Sequence, residues 1–446
     1  MLVSKIFGVS KDPVESYIER SDVDTRMREA LEGSRQIIVY GASKQGKTAL
    51  LQRHVATKER ITVHCTPGQT TEDVYRSVLR QLSVEILTER VNESSEELAG
   101  KTGLRFSAIL PFIGRADAEG QASFERGTGR QAHLRPIEFR LSLAQDVGEL
   151  ILQVTNRPQF VVLENFHYLS LDQQATIAFD LRTFEEMGIR FIVLGVWKEA
   201  NKLIQYDGDL QDRIIEIPVE PWKREEFKQV LRKGQDIMGI RFDPLIEEEI
   251  LDQAHGSIAI VQELAKKICE LSGYIETSTA SATPTISDVH ILQAAIASKI
   301  EDYSSRHVRS LEAIAVGSRT RTTTDATTAL NLNYYLVQVV VNSTYSELSD
   351  GMPRKTIEEK IRSLHPLASR LRPSDITNML GRLTELQSRA KIVPPLLDYD
   401  RGIRRLRVID STLYFFVDNC NPEDVMAEIP EPPEVIASAE DTEAAS

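Results

Sequence analysis

The chain has 446 residues, of which 41% are hydrophobic and 27% are charged. At about 150 residues per domain this length suggests about three domains, and the composition excludes a disordered, collagen-like or disulfide-scaffold protein. The apolar stretches fall far short of the ~20 residues that span a bilayer, and charged residues follow Met1 too closely for a signal peptide. Three distant cysteines make neither a disulfide framework nor a zinc site. We therefore expect a cytoplasmic protein with no membrane partner.

The formal net charge of −13 is unevenly distributed along the chain. Residues 421–446 contain eight acidic residues and no Lys or Arg, whereas residues 351–410 contain thirteen Lys or Arg against seven Asp or Glu. The acidic overall balance argues against a protein that coats nucleic acid, but the basic segment leaves room for one module that contacts it.

Short apolar runs alternate with helical patterns over the first half of the chain. Runs typical of buried strands lie at residues 36–40, 61–64, 160–163, 191–195 and 214–218. Alternation of this kind predicts an α/β fold with a five-stranded parallel sheet covered by helices on both faces. Residues 90–136 are rich in glycine and charged residues and interrupt the alternation of strands and helices. We therefore interpret them as an insertion with one candidate strand at 106–113.

The second half of the chain is mainly helical. A hairpin is predicted near its end, with strands at 392–393 and 403–409 joined by a turn at 398–402, because Asp and Gly there separate two apolar runs. The acidic end of the chain is expected to be disordered. We divide the chain into a segment 1–33, a core 34–220, a helical domain 221–300, a third domain 301–420 and a tail 421–446.

Residues 41–48 fit the phosphate-loop pattern G-x-x-x-x-G-K-[ST] and lie between a predicted strand and a predicted helix. Glycines let successive backbone N–H groups point at phosphate oxygens, and the helix N-terminus adds a favourable partial charge. Lys47 would reach the β- and γ-phosphates and Thr48 would ligate Mg²⁺. The predicted cofactors are therefore ATP and Mg²⁺, and the residues expected to hold the nucleotide are Gly41, Ala42, Ser43, Lys44, Gln45, Gly46, Lys47, Thr48 and Ala49.

A carboxylate at the end of a neighbouring strand is expected to hold the metal. The run 160–163 ends in Glu164 and Asn165, which we assign as the metal-binding and the water-binding residues of a catalytic pair. Asn165 cannot accept a proton, so we expect slow hydrolysis. The alternative is that Glu164 itself is the catalytic carboxylate and that the metal is held by Thr48 and water.

At this point the chain resembles the AAA+ and STAND-type P-loop ATPases, with a layout similar to the origin-recognition and transposition-associated ATPases. Besides residues 41–48, the resemblance rests on residues 17–24, which are similar to the F-x-G-R-E-x-E-L segment, and on residues 161–167, which are similar to a Walker B of the D-E-x-H type. Residues 254–258 are similar to the small G-x-P segment of the lid, with Ile258 in place of proline.

The resemblance implies further residues and a domain order. Arg20 would border the adenine, and Arg213, which precedes the fifth strand, would sense the γ-phosphate or act as an arginine finger, the alternative being a surface arginine. No Asn or Thr sensor is found at residues 195–198. The resemblance also implies a helical lid over residues 221–300 and a C-terminal winged helix over residues 301–420.

The winged helix would have one of two kinds of partner. An arginine cluster on its predicted wing could lie along duplex DNA, or it could pack on a protein surface or on the ATPase core; the cluster consists of Arg401, Arg404, Arg405 and Arg407. His167, Trp197 and Trp222 are interpreted as packing residues rather than ligands.

We therefore expect an ATP-binding switch with slow hydrolysis, associated with DNA or with prokaryotic defence, in which nucleotide holds the core against the lid through Lys47 and Arg213. It would work with a protein partner or as a homo-oligomer. The alternative is a non-hydrolysing, ATP-dependent scaffold that recruits an effector protein and does not bind DNA.

Overall fold

The computed structural model describes residues 1–10, 12–84, 139–279, 282–317 and 330–432. The whole predicted insertion, with its candidate strand at 106–113, and most of the acidic tail lie outside these residues. Among the described residues, no helix combines the length and the apolar character needed to cross a bilayer.

A five-stranded parallel sheet forms the centre of the first half of the chain, with the strand order β2-β3-β4-β1-β5. The strands are β1 (Gln36–Gly41), β2 (Arg60–His64), β3 (Phe160–Glu164), β4 (Arg190–Val196) and β5 (Ile214–Pro218). The helices of this region are α1 (Val3–Ile6), α2 (Ser21–Glu32), α3 (Lys47–His54), α4 (Thr71–Gln81), α5 (Ala144–Leu152) and α6 (Leu171–Glu186).

Successive residues of each strand point to opposite faces of this sheet, and both faces are buried. In β1, Ile38 packs in a core with helices α4, α5 and α6, whereas Ile37 and Val39 pack in a second core with α2 and α3. Burial on both faces explains why these strands read as continuous apolar runs. The predicted α/β fold with a five-stranded parallel sheet is therefore confirmed.

A helical lid follows the sheet. It contains α7 (Arg224–Met238), α8 (Pro244–Gln253), α9 (Ile258–Leu271) and a short strand pair, β6 (Arg241–Phe242) and β7 (Thr285–Ile286). The N-terminal α1 packs here as well, and the ring of Phe7 occupies the space in which a side chain at Gly234 would lie.

The C-terminal region is built around a three-stranded antiparallel sheet with the order β8-β10-β9. Its elements are α11 (Leu332–Val341), α12 (Tyr345–Ser349), β8 (Met352–Pro353), α13 (Arg354–Leu364), α14 (Pro373–Gly381), α15 (Leu383–Arg389), β9 (Leu397–Asp400), β10 (Arg405–Val408), α16 (Thr412–Asn419) and α17 (Pro422–Ala427). The hairpin β9–β10 follows the helices, which is the order expected of a winged helix.

The predicted boundary between lid and C-terminal domain, at residues 300 and 301, falls inside one helix. Helix α10 (Val289–Val316) is 28 residues long and contributes Leu292 to the lid core and Leu311 to the C-terminal core. Helix α16 joins the same two cores, through Phe415 and Phe416 respectively. The lid and the C-terminal domain are therefore packed together through shared helices.

The predicted hairpin is wrong in its details. Its first strand is β9, at residues 397–400, and not residues 392–393, which are followed by two prolines that have no N–H to donate to a ladder. The turn lies at residues 401–404, where the Asp400 carboxylate accepts hydrogen bonds from the N–H groups of Gly402 and Ile403.

Candidate functional site

The phosphate loop leaves the carboxyl end of β1, between the ends of β4 and β5, and leads into α3. Gly41 has φ +151°, and a Cβ placed there would come within 2.6 Å of Val219 Cγ2. Gly46 has φ +90° and is the residue from which α3 begins. Both positions require glycine because φ is positive, and Gly41 also requires it because Val219 leaves no room for a Cβ.

The second half of this loop presents open hydrogen-bond donors. Among the described residues, the backbone N–H groups of residues 44–49 have no recorded acceptor. Lys44 has φ +61°, and Thr48 and Ala49 lie in the first turn of α3, where N–H groups have no partner within the helix. This arrangement suits an anion with several oxygen atoms.

Lys47 is the buried cation of the site, with 9% of its side chain surface exposed. Its Nζ donates to the carbonyl oxygens of Gly41 (3.0 Å) and Ala42 (2.6 Å). Burial lowers the pKa of Lys47 to about 8, against the opposing attraction of Glu220. Lys47 therefore has no carboxylate as a hydrogen-bonded partner in the described residues, and a phosphate group could supply the missing negative charge.

Thr48 and Glu164 form the candidate metal-binding pair. The Thr48 hydroxyl donates to Glu164 Oε1 at 2.7 Å, and His64 Nδ1 lies 3.1 Å from Glu164 Oε2. One hydroxyl and one carboxylate, completed by phosphate oxygens and water, fit the oxygen ligands that Mg²⁺ prefers. In the described residues no group of three or more His, Cys, Asp or Glu could hold a metal on its own.

Asn165 follows β3 in the left-handed conformation, with φ +61°, and starts a short 3₁₀ turn that carries His167. Both ring nitrogens of His167 are buried without a hydrogen-bond partner among the described residues. Burial, with a smaller contribution from Lys47, lowers the pKa of His167 to about 3, so the ring is neutral. Neither Asn165 nor the neutral His167 therefore carries a charge at this end of β3.

The first half of the loop is bound by other parts of the chain. The N–H of Ala42 donates to the Glu220 carboxylate, which lies just after β5. The N–H of Ser43 donates to the carbonyl of Ile409 at 3.1 Å, and the Ser411 hydroxyl donates to the carbonyl of Ser43 at 3.2 Å.

Gln45 ties the loop to the lid. Its Nε2 donates to the carbonyl of Gly256 at 3.2 Å, and its Oε1 accepts from the N–H of Ile258 at 3.4 Å. The lid segment 254–258, singled out by the sequence, therefore touches the phosphate loop directly.

A cavity of about 520 Å³ opens beside the loop, between the sheet, the lid and the C-terminal domain. Tyr40, Trp222, Tyr345 and Tyr414 contribute aromatic rings to its lining. Arg20 stacks on Trp222, with Cζ 3.9 Å from the ring centroid, and its Nη1 donates to the carbonyl of Val219 at 2.8 Å. Arg20 therefore braces one aromatic wall of the cavity rather than lining it.

Sequence reasoning missed several residues of this site. Lys198, just beyond β4, lies with Nζ 3.3 Å from the Tyr414 hydroxyl and 4.0 Å from the Glu220 carboxylate. Glu220 and Trp222 follow β5, and His64 ends β2. All of them lie at or just beyond the carboxyl ends of parallel strands, where ligands bind in open α/β sheets, and this rule could have identified them.

Arg213 lies at the opposite edge of the sheet. Its carbonyl accepts from the N–H of Gln36 at the start of β1 (3.0 Å), and its guanidinium pairs with Glu185 (2.6 Å) and Glu186 (2.9 Å). The length of β1, at about 3.3 Å per residue, separates it from the phosphate loop by roughly 16 Å. The expectation that Arg213 holds the nucleotide of the same chain against the lid is wrong, because the strand direction places it at the other end.

The arginines of the hairpin do not form one exposed cluster. Arg405 Nη1 donates to the carbonyls of Asp350 and Gly351, and Arg407 Nη1 donates to the carbonyl of Lys198 at 2.6 Å. Arg401 and Arg404 are exposed and line a groove of about 600 Å³ together with Arg354 and Arg382. Of the two alternatives for this cluster, Arg407 therefore agrees with packing on the core, through Lys198, whereas Arg405 bonds within its own domain.

Comparison with known proteins gives fold-level likenesses. No family model matches the chain, and the search of curated proteins finds no match. Among solved structures, ORC1 of Aeropyrum pernix in complex with DNA is 12% identical, with 93% of each chain covered and a TM-score of 0.41.

Two further solved structures match the chain with similar identity and coverage. A Walker-type ATPase of Pyrococcus abyssi is 12% identical over 91% of this chain and 97% of that one, with a TM-score of 0.44. The Holliday junction branch migration motor RuvB of Thermotoga maritima is 10% identical over 90% and 95%, with a TM-score of 0.38. The TM-scores of all three matches are below 0.5.

Proposed function

We propose that the chain binds ATP together with Mg²⁺ and acts as a nucleotide-dependent switch that hydrolyses ATP slowly. The observation that carries this proposal is the phosphate loop, in which the open N–H groups of residues 44–49, the buried cation of Lys47 and the Thr48–Glu164 pair lie together. Each part matches one requirement of a magnesium–triphosphate ligand.

The chain's own residues would act as follows. Lys47 would exchange the carbonyls of Gly41 and Ala42 for phosphate oxygens, and Thr48 and Glu164 would hold the metal directly or through water. The metal, when bound, neutralises charge on the β- and γ-phosphates. Trp222, braced by Arg20, offers an apolar wall for the base.

Slow hydrolysis is inferred from Asn165. An amide at the position of the water-binding carboxylate can orient water by hydrogen bonding, but it cannot accept the proton. General-base assistance is typically worth ~10²–10⁴-fold in rate, so its loss favours a switch over a motor.

The C-terminal domain is proposed to be a winged helix that contacts duplex DNA. The supporting observation is the groove between α14 and the turn of the β9–β10 hairpin, lined by Arg354, Arg382, Arg401 and Arg404. Four guanidinium groups around one groove suit the phosphates of a duplex backbone, although Arg354 also pairs with Glu358 (2.8 Å) and Arg401 also donates to the carbonyl of Gly381 (2.6 Å).

The second candidate function is an ATP-dependent scaffold that recruits an effector protein and does not bind DNA. It is favoured by Arg405 and Arg407, which are engaged by backbone carbonyls of the chain itself. In either case we propose that the chain forms homo-oligomers or binds a protein partner. In a homo-oligomer Arg213 could act at a neighbour's nucleotide, and otherwise it is a surface arginine paired with Glu185 and Glu186.

Replacement of Lys47 tests nucleotide binding. Lys47→Ala removes the buried cation, and we expect calorimetric titration to show loss of ATP binding with an unchanged circular dichroism spectrum. Lys58→Ala, at an exposed lysine beyond α3, is the matched control and should bind as the unaltered chain does. Equal ATP affinity in the two variants would remove the phosphate loop from the proposal.

Salt dependence separates the two candidate functions. For the full chain with ATP, duplex affinity should fall steeply with salt, and Arg401→Ala and Arg404→Ala should each lower the log–log slope by up to about one. Arg28→Ala, an exposed arginine on α2, should leave the slope unchanged. No duplex binding at ~50 mM salt, where a phosphate-contacting protein binds most tightly, would favour the scaffold.

A further inference from the structure

The segment Ile409, Asp410 and Ser411, here called the strap, joins the C-terminal sheet to helix α16 and lies on the phosphate loop. The strap makes two hydrogen bonds to Ser43. The Ser43 N–H donates to the carbonyl of Ile409, and the Ser43 carbonyl accepts from the Ser411 hydroxyl. The Ser411 Oγ also lies 2.9 Å from Ser257 Oγ of the lid. The strap thus links the C-terminal domain, the lid and the phosphate loop.

The strap is anchored firmly from behind. The Asp410 side chain is fully buried, and its carboxylate lies 2.6 Å from Arg306 Nη2 of helix α10 and accepts from the Thr412 hydroxyl at 2.7 Å. A buried carboxylate with these partners fixes the backbone of the strap in place. The contacts on Ser43 therefore come from a segment that is itself attached to helix α10.

The phosphate loop is divided into two halves by these contacts. Residues 42 and 43 have their N–H groups bound by Glu220 and by Ile409, whereas the N–H groups of residues 44–49 have no acceptor among the described residues. Lys47 also bonds back to the carbonyls of Gly41 and Ala42. The first half of the loop is held by outside groups, and the second half is open to a ligand.

A triphosphate would disturb the bound half in two ways. Lys47 must leave the two carbonyls in order to reach phosphate, which removes an internal tie of the loop. The Glu220 carboxylate beside Ala42 carries the same sign of charge as the incoming phosphates and would be repelled by them. Lys198, 4.0 Å from Glu220, is available to take up the displaced carboxylate.

We propose that two contacts form an intramolecular brake on nucleotide binding, namely the contact of the strap of the docked C-terminal domain with Ser43 and the contact of Glu220 of the core with Ala42. This inference rests on the proposed ATP binding and adds its regulation. Because coupling between two sites is reciprocal, a partner that binds the undocked C-terminal domain would raise ATP affinity by the same factor by which ATP favours undocking.

Two variants of the full chain release the brake without removing a group assigned to phosphate or metal. Ser411→Ala removes the hydroxyl that bonds Ser43 and Ser257, and Glu220→Gln removes the carboxylate charge. Neutral hydrogen bonds are worth about two- to tenfold in an equilibrium and bonds to charged groups about tenfold or more, so we expect ATP affinity to rise by these factors.

The matched controls lie close to the two test positions. Ser346→Ala changes an exposed serine of helix α12 that does not line the cavity, and Glu199→Gln changes a half-buried acid next to Lys198. Both controls should bind ATP as the unaltered chain does. Equal or weaker ATP binding in Ser411→Ala and Glu220→Gln than in the controls would overturn the brake.

Amide hydrogen exchange without nucleotide keeps this test separate from that of ATP binding. The N–H of Ser43 should exchange faster in Ser411→Ala and that of Ala42 faster in Glu220→Gln, and neither should change in the controls. Unchanged exchange would refute the brake whatever the ATP affinity. Faster exchange, with no ATP binding by any form of the chain, would contradict the proposed function while leaving the strap as a lock on the loop.

Discussion

The two edges of the parallel sheet carry very different chemistry, although the same five strands end at both. The carboxyl edge holds the phosphate loop and Glu164, and a cavity lined by Lys198 and Glu220 opens beside the loop. The amino edge holds Arg213 in ion pairs with Glu185 and Glu186 of α6. In a parallel sheet the direction of a strand therefore decides whether a charged residue beside it can reach the ligand of its own chain.

The largest effect is expected from a substitution at the carboxyl edge of the sheet. Asn165→Glu should raise the ATP turnover rate by about a hundredfold, because it restores a carboxylate that can accept the proton of the attacking water. Steady-state ATPase assays measure this. Asn156→Glu is the matched control, since Asn156 also has a positive φ (58°) but lies in a loop before β3.

One outcome would reassign the carboxylates of this edge. Fast turnover by the unaltered chain, abolished in Glu164→Gln and not improved in Asn165→Glu, would contradict the slow switch. Glu164 would then be the catalytic carboxylate, and the metal would be held by Thr48 and water.

The next effect concerns the metal. Glu164→Gln should weaken the magnesium dependence of ATP binding by about 10–100-fold, the range measured when groups around a metal site are altered. Titrations of ATP with and without Mg²⁺ measure the difference. Glu186→Gln, at an acid of the amino edge, should leave the magnesium dependence unchanged. An equal loss in both variants would contradict the assignment of the metal site to the carboxyl edge.

A pH effect follows from the buried lysine. The pKa of Lys47 is lowered to about 8 by burial, so the unfolded chain binds more protons than the folded chain between pH 8 and 10.5. Folding stability should therefore rise with pH across that window, and Lys47→Met should remove this contribution. Denaturant unfolding at pH 7.5 and 9.5 measures it.

The same lysine predicts proton uptake on binding. Phosphate next to Lys47 raises the pKa of the ammonium group, so ATP binding near pH 8.5 should take up protons. Calorimetric titration in buffers of different ionisation enthalpy detects this uptake. Release of protons, or no exchange at all, would contradict the placement of phosphate at Lys47.

The smallest effect tests the amino edge. Arg213→Ala should change ATP affinity in a monomeric sample by no more than about twofold, because roughly 16 Å exceeds the screening length of ~8–10 Å at ordinary salt. Calorimetric titration on a dilute sample measures this affinity. A tenfold loss there would contradict the position of Arg213, whereas turnover lost only in an oligomer would favour action at a neighbour's site.

The sheet and the centre of the site could be predicted from the amino-acid sequence. Short, β-branched apolar runs such as 36–40 are typical of strands buried on both faces, and the pattern at residues 41–48 indicates a phosphate loop because glycine and lysine are needed at fixed positions. The pairing of Thr48 with a carboxylate after β3 also followed from the sequence, because that carboxylate ends a buried apolar run.

Which distant residues contact the loop could be seen only from how the chain folds. Strand order and direction place Glu220 beside Ala42 and Arg213 at the far edge, and no spacing along the chain contains that information. The strap reaches Ser43 from 366 positions further along the chain, because helices α10 and α16 each belong to two cores and bring the C-terminal domain onto the loop. Such long-range contacts depend on how whole elements pack, whereas the local patterns depend only on neighbouring residues.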